Sequence, residues 1–177
     1  MKSFVWVTVF IIMLSGIFDA LAQNALPPQP SPNAISTLKY EGTYIKITYC
    51  RPHQRGRTVF GGMIPYGKVW RTGANEATEL TITRDILIGG KKLSAGTYSV
   101  FTIPYPDEWI VIINREVGQW GAYEYNKDQD VLRFSVPVAV SNIHHEPFTI
   151  EFEQKEKITN LLMQWDRTKV IIPIRFL

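Results

Sequence analysis

The sequence has very little cysteine: Cys50 is the single one among 177 residues. One thiol excludes an intrachain disulfide, so the fold has to be held together by its hydrophobic core. Cys50 lies in a segment with strand-like alternation of apolar and polar residues. We therefore expect a buried thiol there, rather than a nucleophile or an intermolecular bond.

Motifs for several kinds of chemistry are also missing. The sequence has no G-x-S-x-G nucleophile elbow and no glycine-rich loop that opens a helix, which excludes P-loop and Rossmann nucleotide sites. His53, His144 and His145 lack metal-ligand spacing, because adjacent residues on a strand point to opposite faces. The segment 126–130 has oxygen ligands at alternate positions but lacks the glycine and the distal glutamate of a calcium loop. We predict neither a metal site nor a cofactor.

The N-terminal residues 1–22 have the pattern of a secretory signal peptide. Lys2 precedes an apolar run over 4–18, and Ala20 and Ala22 give the small-residue spacing that signal peptidase accepts. This run is shorter than the about 20 residues that span a bilayer, and no later run approaches that length. N-x-S/T sequons are absent, which favours a bacterial protein. We predict cleavage near Ala22 and a periplasmic or extracellular protein with no membrane span in the mature chain.

Residues 23–33 are rich in proline and have little to bury, so they predict an extended linker. The remaining residues, 34–177, are enough for one domain with a sizeable core. Their apolar residues alternate with polar ones at a period of two, as Ile45, Ile47 and Tyr49 do, which is typical of strands. Segments with this pattern lie at 35–40, 43–50, 79–84, 86–88, 91–93, 97–103, 109–114, 131–138, 147–153, 158–165 and 169–174.

From these eleven segments we predict about nine strands, separated by turn signals such as Gly89-Gly90, which predicts a two-residue hairpin. Helix-length patterns are missing, although residues 158–165 could also form a short helix. The fold class that we predict is all-β: a single antiparallel β-sandwich, similar to a jelly roll.

Two segments, Arg51–Thr78 and Arg115–Asp130, resist assignment to strands. Loops longer than about 12–15 residues are uncommon in compact domains and are usually functional or disordered. Both segments carry aromatic residues, among them Trp70 and Trp120, which favours packed loops over disorder. We therefore expect two long ordered loops.

The positive charge of the chain is concentrated in the first of these segments. The full chain has a net charge of +3, and residues 51–78 alone contain five cations against the single carboxylate of Glu76. The rest of the chain is therefore close to neutral, which excludes a nucleic-acid-binding face. Arginine is suited to bidentate capture of a carboxylate or a phosphate.

These observations lead to a hypothesis of a cationic, aromatic-lined cleft between the two loops, which would bind a small anionic or carbohydrate-like ligand. The predicted ligand-binding residues are Arg51, Arg57, Arg71 and Asn75 as polar contacts and Tyr66, Trp70 and Trp120 as aromatic walls. Alternatively, the arginines pair with Glu76, Glu79 or strand carboxylates and only fix the loop in place.

Two other functions stay open at this point. The chain could be an envelope hydrolase acting on a sugar or an ester, with Glu76 as the candidate general base and Arg71 stabilising developing negative charge. It could also be a structural or interaction module of the envelope, with the aromatic residues in its core. The sequence does not decide whether the protein is an enzyme, and it leaves the oligomeric state open.

Several motifs occur in a specific order. R-P-x3-G-R at 51–57 is followed by P-Y-G, by W-R-T-G-A-N-x-A-T at 70–78, and then by KKLSAGTYSVFTIP, EWIVIIN and GAYEYNKDQDVLRFSV. In these motifs the chain resembles, from Ser31 to Ile174, the bacterial family known as domain of unknown function 2911. The resemblance implies a small exported protein and carries no established activity. His53 falls at a variable position of the first motif, which makes it a poor candidate for a shared function.

Overall fold

The computed structural model describes residues 29–156 and 158–177 of the chain. The predicted signal peptide, residues 1–22, and residues 23–28 of the predicted linker lie outside this part. The described part is all-β, as predicted, apart from one short 3-10 turn. None of its helical segments is long and apolar enough to cross a membrane.

Nine antiparallel strands form one sheet, in the order β1-β2-β3-β6-β7-β8-β9-β4-β5. The strands are β1 (Asn33–Tyr40), β2 (Thr43–Cys50), β3 (Thr78–Ile82), β4 (Ile86–Ile88), β5 (Lys91–Leu93), β6 (Gly96–Pro104), β7 (Glu108–Asn114), β8 (Asp130–Lys155) and β9 (Ile158–Phe176). The predicted hairpin around Gly89-Gly90 joins β4 to β5. Both the antiparallel arrangement and the number of strands agree with the prediction.

β8 and β9 are much longer than the segments predicted for them, and here the predicted boundaries were wrong. β8 joins the segments 131–138 and 147–153 into one strand of 26 residues, and β9 joins 158–165 and 169–174 into one of 19. The pairing of β8 with β9 shifts register between Val140 and His145 and again before Thr149. Such irregularities let a strand bend without ending, so polar, irregular sequence does not interrupt it. Residues 158–165 are strand, not helix.

Because β8 and β9 bend, the two ends of the sheet face each other and enclose one hydrophobic core, as in a sandwich. The core draws inward-facing residues from β2 to β9, including Ile47, Val111, Phe148 and Val170. These residues occupy every second position of their strands, which is why the period of two in the sequence predicted the fold.

Hydrogen bonds join the two layers where β1, β2 and the start of the following loop pass close to β8. The Tyr49 hydroxyl lies 2.9 Å from the backbone nitrogen of Ile150 and accepts its hydrogen bond. The Ser36 hydroxyl donates to the carbonyl of Ile150, and the backbone N–H of Phe148 donates to the carbonyl of Pro52 over 2.9 Å. These bonds satisfy backbone groups of β8 that no neighbouring strand reaches.

The outer face of the sheet carries a smaller apolar cluster of Ala77, Phe101 and Ile112, and Ala122 and Tyr125 from the second loop pack on it. The second loop is therefore folded onto the sheet. This placement brings it beside the first loop, where the candidate site lies.

Candidate functional site

The first loop, residues 51–77, connects β2 to β3 and is ordered by backbone pairing at four points. His53 pairs with Pro147 of β8, Phe60 with Ile64, Trp70 with Thr102 of β6, and Glu76 with Trp120 of the second loop, residues 115–129. The predicted ends of both loops are right to within one residue. Ordered loops of this length can hold side chains in fixed positions, which a binding site requires.

Trp70 anchors the first loop in the core. Its ring is 6% exposed and stacks on Trp165 with a centroid distance of 5.9 Å, while Trp109 meets it edge-on at 5.8 Å. The indole N–H donates to the carbonyl of Gly73 over 2.9 Å. Trp70 is therefore mainly a core residue, and it fixes the first loop at the position next to Arg71.

Thr72, which follows Arg71, holds a strained backbone conformation. Its φ is 55°, in the left-handed region that β-branched residues rarely adopt. The residue is fully buried. Its hydroxyl donates either to the Thr102 hydroxyl, 3.1 Å away, or to the Trp70 carbonyl, while its carbonyl accepts from the Thr78 hydroxyl at 2.7 Å. Strain of this kind costs about 1–3 kcal/mol and is concentrated at functional sites.

A cavity of about 300 Å³, the first cavity, lies between the two loops beside Arg71. Lys68 and Arg71 are its charged residues, and no carboxylate is among the described residues that line it. The lining residues are Met63, Ile64, Pro65, Lys68, Val69, Trp70, Arg71, Ala122 and Tyr123.

Arg71 is the arginine of the first loop that faces this cavity. In the described part of the chain its side chain makes neither an ion pair nor a hydrogen bond, and its Nε is buried without a partner. Gly121 makes room for it: a Cβ at that position would lie 2.9 Å from Nη1 of Arg71 and 2.8 Å from the ring of Tyr123. The two loops therefore meet at Gly121, whose φ of 72° also favours glycine.

The other predicted arginines have different surroundings. Nε of Arg51 donates to the carbonyl of Phe148 over 3.2 Å, so this residue belongs to the junction between β2 and β8. Arg57 donates to carbonyls of its own loop, those of Gln54 at 3.0 Å and His53 at 2.8 Å. Neither lines the first cavity. These contacts fit the alternative in which arginines fix the loop, although their acceptors are carbonyl and hydroxyl oxygens instead of the expected carboxylates.

Tyr66 and Asn75 do not line the first cavity. The Tyr66 ring covers Gly61, where a Cβ would come within 2.8 Å of the ring. Asn75 has a φ of 56°, and its amide donates to the carbonyl of Ser31 over 3.4 Å. Its own carbonyl accepts the backbone N–H of Gly121 at 2.9 Å, so Asn75 helps to hold the two loops together.

A second cavity, of about 380 Å³, lies at the other end of the paired loop segments and is acidic. Glu76 and Glu79 are its charged residues, and no cation is among the described residues that line it. The lining residues are Asn33, Ile35, Thr48, Tyr49, Cys50, Glu76, Ala77, Glu79 and Gly118. The candidate base Glu76 and the predicted oxyanion-stabilising Arg71 therefore line different cavities.

The groups of the second cavity already have partners. Glu79 accepts the backbone N–H of Gly118 over 2.8 Å. The Cys50 thiol lies 2.9 Å from Oδ1 of Asn33 and 3.4 Å from Oε2 of Glu76. Burial raises the pKa of this thiol above its ordinary value, which keeps it protonated at neutral pH and makes it a poor nucleophile.

The cavities contain residues that the sequence hypothesis missed. Lys68, Tyr123, Met63 and Ile64 line the first cavity, and all four belong to the segments already recognised as long loops. The charge of Lys68 and the aromatic content of the second loop were the available signals.

In the described part of the chain, no group of three or more histidine, cysteine or carboxylate side chains is placed to hold a metal ion.

Comparisons with known proteins place the chain in a family. A family model described as "Protein of unknown function (DUF2911)" matches residues 31–174. No curated protein and no solved structure matches the chain. Because the matched range covers most of the 177 residues and includes both loops and all nine strands but for the last residues of β9, the chain belongs to the DUF2911 family of proteins of unknown function.

Proposed function

We propose that the protein binds a small organic anion, a carboxylate or a phosphate ester, in the first cavity. The observation that carries this proposal is the state of Arg71. Its guanidinium group lines the cavity together with Lys68 and has no partner in the described part of the chain. A partly buried cation without a partner is costly, and an anion held by its terminal nitrogens would neutralise it.

The size and walls of the cavity indicate what else the ligand contains. A volume of about 300 Å³ lies at the lower end of the about 300–1,000 Å³ that small-molecule sites occupy. Met63, Ile64 and Ala122 supply apolar wall, and Tyr123 supplies an aromatic face. A ligand of about one ring, with one anionic group directed at Arg71 and Lys68, matches this arrangement.

The backbone beside Arg71 supports a binding role for this residue. Thr72 keeps a left-handed conformation although it is β-branched and fully buried. Selection for stability alone would favour glycine or asparagine at such a position. A need to hold the Arg71 side chain in one direction explains why a strained residue is kept beside it.

Titration calorimetry with benzoate, glucuronate and glucose 6-phosphate, and with neutral glucose for comparison, tests the proposal. We expect at least one anion to bind and glucose to bind far more weakly. Arg71→Ala should lower the affinity for that anion by at least about tenfold, since a bidentate charged contact is lost. Arg71→Lys should give an intermediate value, because it keeps the charge but loses the planar fork.

Arg115→Ala serves as the matched control. Arg115 is exposed at the start of the second loop and lies outside the lining of the cavity, so this variant removes one positive charge without touching the site. Its affinity should equal that of the wild type. Unchanged affinity in Arg71→Ala, or equal losses in both variants, would contradict the assignment of the site.

A further inference from the structure

The two loops present a pair of side chains, Glu76 and Trp120, to solvent between the two cavities: Glu76 lines the second, and Trp120 precedes Gly121, which lies against Arg71 of the first. The backbone N–H of Ala77 donates to the carbonyl of Gln119 over 2.8 Å, and that of Gly121 donates to Asn75 over 2.9 Å. Between these bonds Glu76 pairs directly with Trp120. In such an antiparallel pair the two side chains lie close together on one face. Ala77 and Gln119 are buried on the other face.

Trp120 is 60% exposed, and Tyr123, three residues later, is 84% exposed. Tyr123 lines the first cavity, and Trp120 immediately precedes Gly121, which contacts Arg71. Large aromatic side chains are normally buried for most of their area. Trp120 and Tyr123 lie on either side of Gly121 in the chain, so this exposed aromatic surface, the platform, extends from the first cavity, which Tyr123 lines, towards Glu76 of the second.

The charges change sign along this platform. Arg71 and Lys68 attract an anionic group into the cavity, whereas the exposed Glu76 beside Trp120 repels one. A carboxylate next to an aromatic face suits a ring that stacks on the face and donates hydroxyl groups to the carboxylate. A ligand that covers both places therefore carries its negative charge at one end only.

We propose that the ligand is an acidic oligosaccharide in which the carboxylate of one sugar occupies the first cavity and the adjacent, uncharged sugar stacks on Trp120 and donates to Glu76. This inference rests on the proposed function, because it uses the same cavity and the same Arg71. It adds the class of the ligand and a second point of contact.

The test compares three probes by titration calorimetry: glucuronate, a disaccharide of glucuronate linked to N-acetylglucosamine, and digalacturonate. We expect the mixed disaccharide to bind at least about tenfold more tightly than glucuronate, since it adds an aromatic stacking contact and a hydrogen bond. Digalacturonate should gain nothing over glucuronate, because Glu76 repels its second carboxylate.

Three variants test whether the platform causes the tighter binding of the mixed disaccharide. Trp120→Ala should bind the mixed disaccharide no more tightly than glucuronate and should keep the wild-type affinity for glucuronate, while Trp120→Phe should keep most of the difference between the two affinities. Glu76→Gln should let digalacturonate bind more tightly than glucuronate. Tyr44→Ala is the control, because Tyr44 is also partly exposed but lies on β2 and lines neither of the two cavities.

The outcomes separate the two proposals. If glucuronate or a phosphate ester binds through Arg71 but the mixed disaccharide gains nothing, or gains equally in Trp120→Ala, the inference about the saccharide is wrong and the anion site stands. If none of the anions binds in an Arg71-dependent way, both proposals are wrong.

Discussion

The two cavities of the loop region both take lining residues from the two loops, and their charges are opposite. The first contains Arg71 and the second Glu76, five residues further along the same loop. The second loop supplies Ala122 to one and Gly118 to the other. The difference between them lies in their hydrogen bonds: Glu79 and Cys50 of the second cavity have partners, whereas the Arg71 side chain has none among the described residues.

This comparison is the reason for placing the proposed site in the first cavity, because an unpartnered cation distinguishes it from the second cavity better than charge or volume alone. The second cavity is the larger of the two, yet Glu79 accepts a hydrogen bond from Gly118 of the second loop, and the Cys50 thiol lies beside Asn33 and Glu76. Buried polar groups are almost always hydrogen-bonded in folded proteins, so an exception requires an explanation. In the first cavity, the anion that we propose would neutralise the Arg71 guanidinium group through its terminal nitrogens.

The largest effect should come from Trp70→Ala, which removes the anchor of the first cavity. Trp70 contacts Phe60, Trp109, Phe148 and Trp165 in the core. Replacing a buried tryptophan by alanine costs about 3–5 kcal/mol of unfolding free energy, and the midpoint of urea unfolding measures the loss. A loss below about 1 kcal/mol would show that the first loop is not anchored by this ring.

The anion affinity of Trp70→Ala should also fall, because Arg71 adjoins the lost side chain. Where this variant is too unstable to purify, Trp70→Phe keeps an aromatic ring in the core and removes the bond to Gly73. Its stability should fall by about 1–3 kcal/mol.

A pair of glycine variants compares the two cavities directly. Gly121 and Gly118 have the same φ of 72°, but a Cβ at Gly121 would meet Arg71 and Tyr123, whereas one at Gly118 would meet nothing within 4 Å. Either alanine should cost about 1–2 kcal/mol for the left-handed backbone. Gly121→Ala alone should also weaken anion binding, because its new methyl group displaces the Arg71 guanidinium.

Urea unfolding and calorimetry with the best anion measure both quantities for these variants. If Gly118→Ala weakens anion binding as much as Gly121→Ala does, the effect comes from a general loosening of the second loop. The contact between Gly121 and Arg71 would then not explain the affinity.

The fold could be predicted from the sequence more completely than the site could. The alternation at Ile45, Ile47 and Tyr49 reflects burial on one face of a strand, which is a local property that a sequence records directly. The length of β8 could not be predicted, because its bent middle, around His145, pairs with β9 in spite of its polar residues. The length of β8 is therefore determined by its pairing with β9 and not by its local sequence.

The arginines show why the site was harder to predict from the sequence than the fold was. Arg51, Arg57 and Arg71 have the same chemistry within one loop, and only their partners distinguish them. Arg51 bonds to Phe148, which is 97 residues away, and backbone carbonyls carry no sequence signal. In the same way, nothing in the sequence separates Trp70, a core residue, from Trp120, which is 60% exposed, because neither lies in a periodic segment.

Removing the hydrogen bond that anchors the second loop should lower the unfolding free energy by a smaller amount, and this loss should depend on pH. Both cavities share this anchor, because the second loop contributes to the lining of each. The Tyr125 hydroxyl donates to Oδ2 of Asp130 over 2.7 Å, and Asn114 donates to Oδ1 at 2.9 Å. Burial, together with the bond to Asp130, raises the pKa of Tyr125 to about 12. Tyr125→Phe should therefore cost about 1–2 kcal/mol near neutral pH, at the lower end for a hydrogen bond to a charged group because the site is partly exposed.

The sign of the pH dependence follows from the raised pKa. The folded state binds the phenolic proton more tightly than the unfolded state does, so this stabilisation is fully present below pH 10 and is lost as the pH rises from 10 to 12. Unfolding free energies of the wild type and Tyr125→Phe should converge over this range. A constant difference between pH 8 and pH 12 would rule out the bond to Asp130 as its source.

The smallest effect should be seen at Cys50, in the second cavity. Its side chain is buried and its hydrogen bonds to Asn33 and Glu76 involve a weak thiol donor, so Cys50→Ser should change stability by about 1 kcal/mol or less. Because burial raises its pKa, alkylation by iodoacetamide at pH 8 should be at least about tenfold slower in the folded protein than in urea. An anion bound in the first cavity should leave this rate unchanged if the two cavities act independently. Protection of Cys50 by the anion would instead show that the ligand reaches or couples to the second cavity, and the two would then have to be treated as one site.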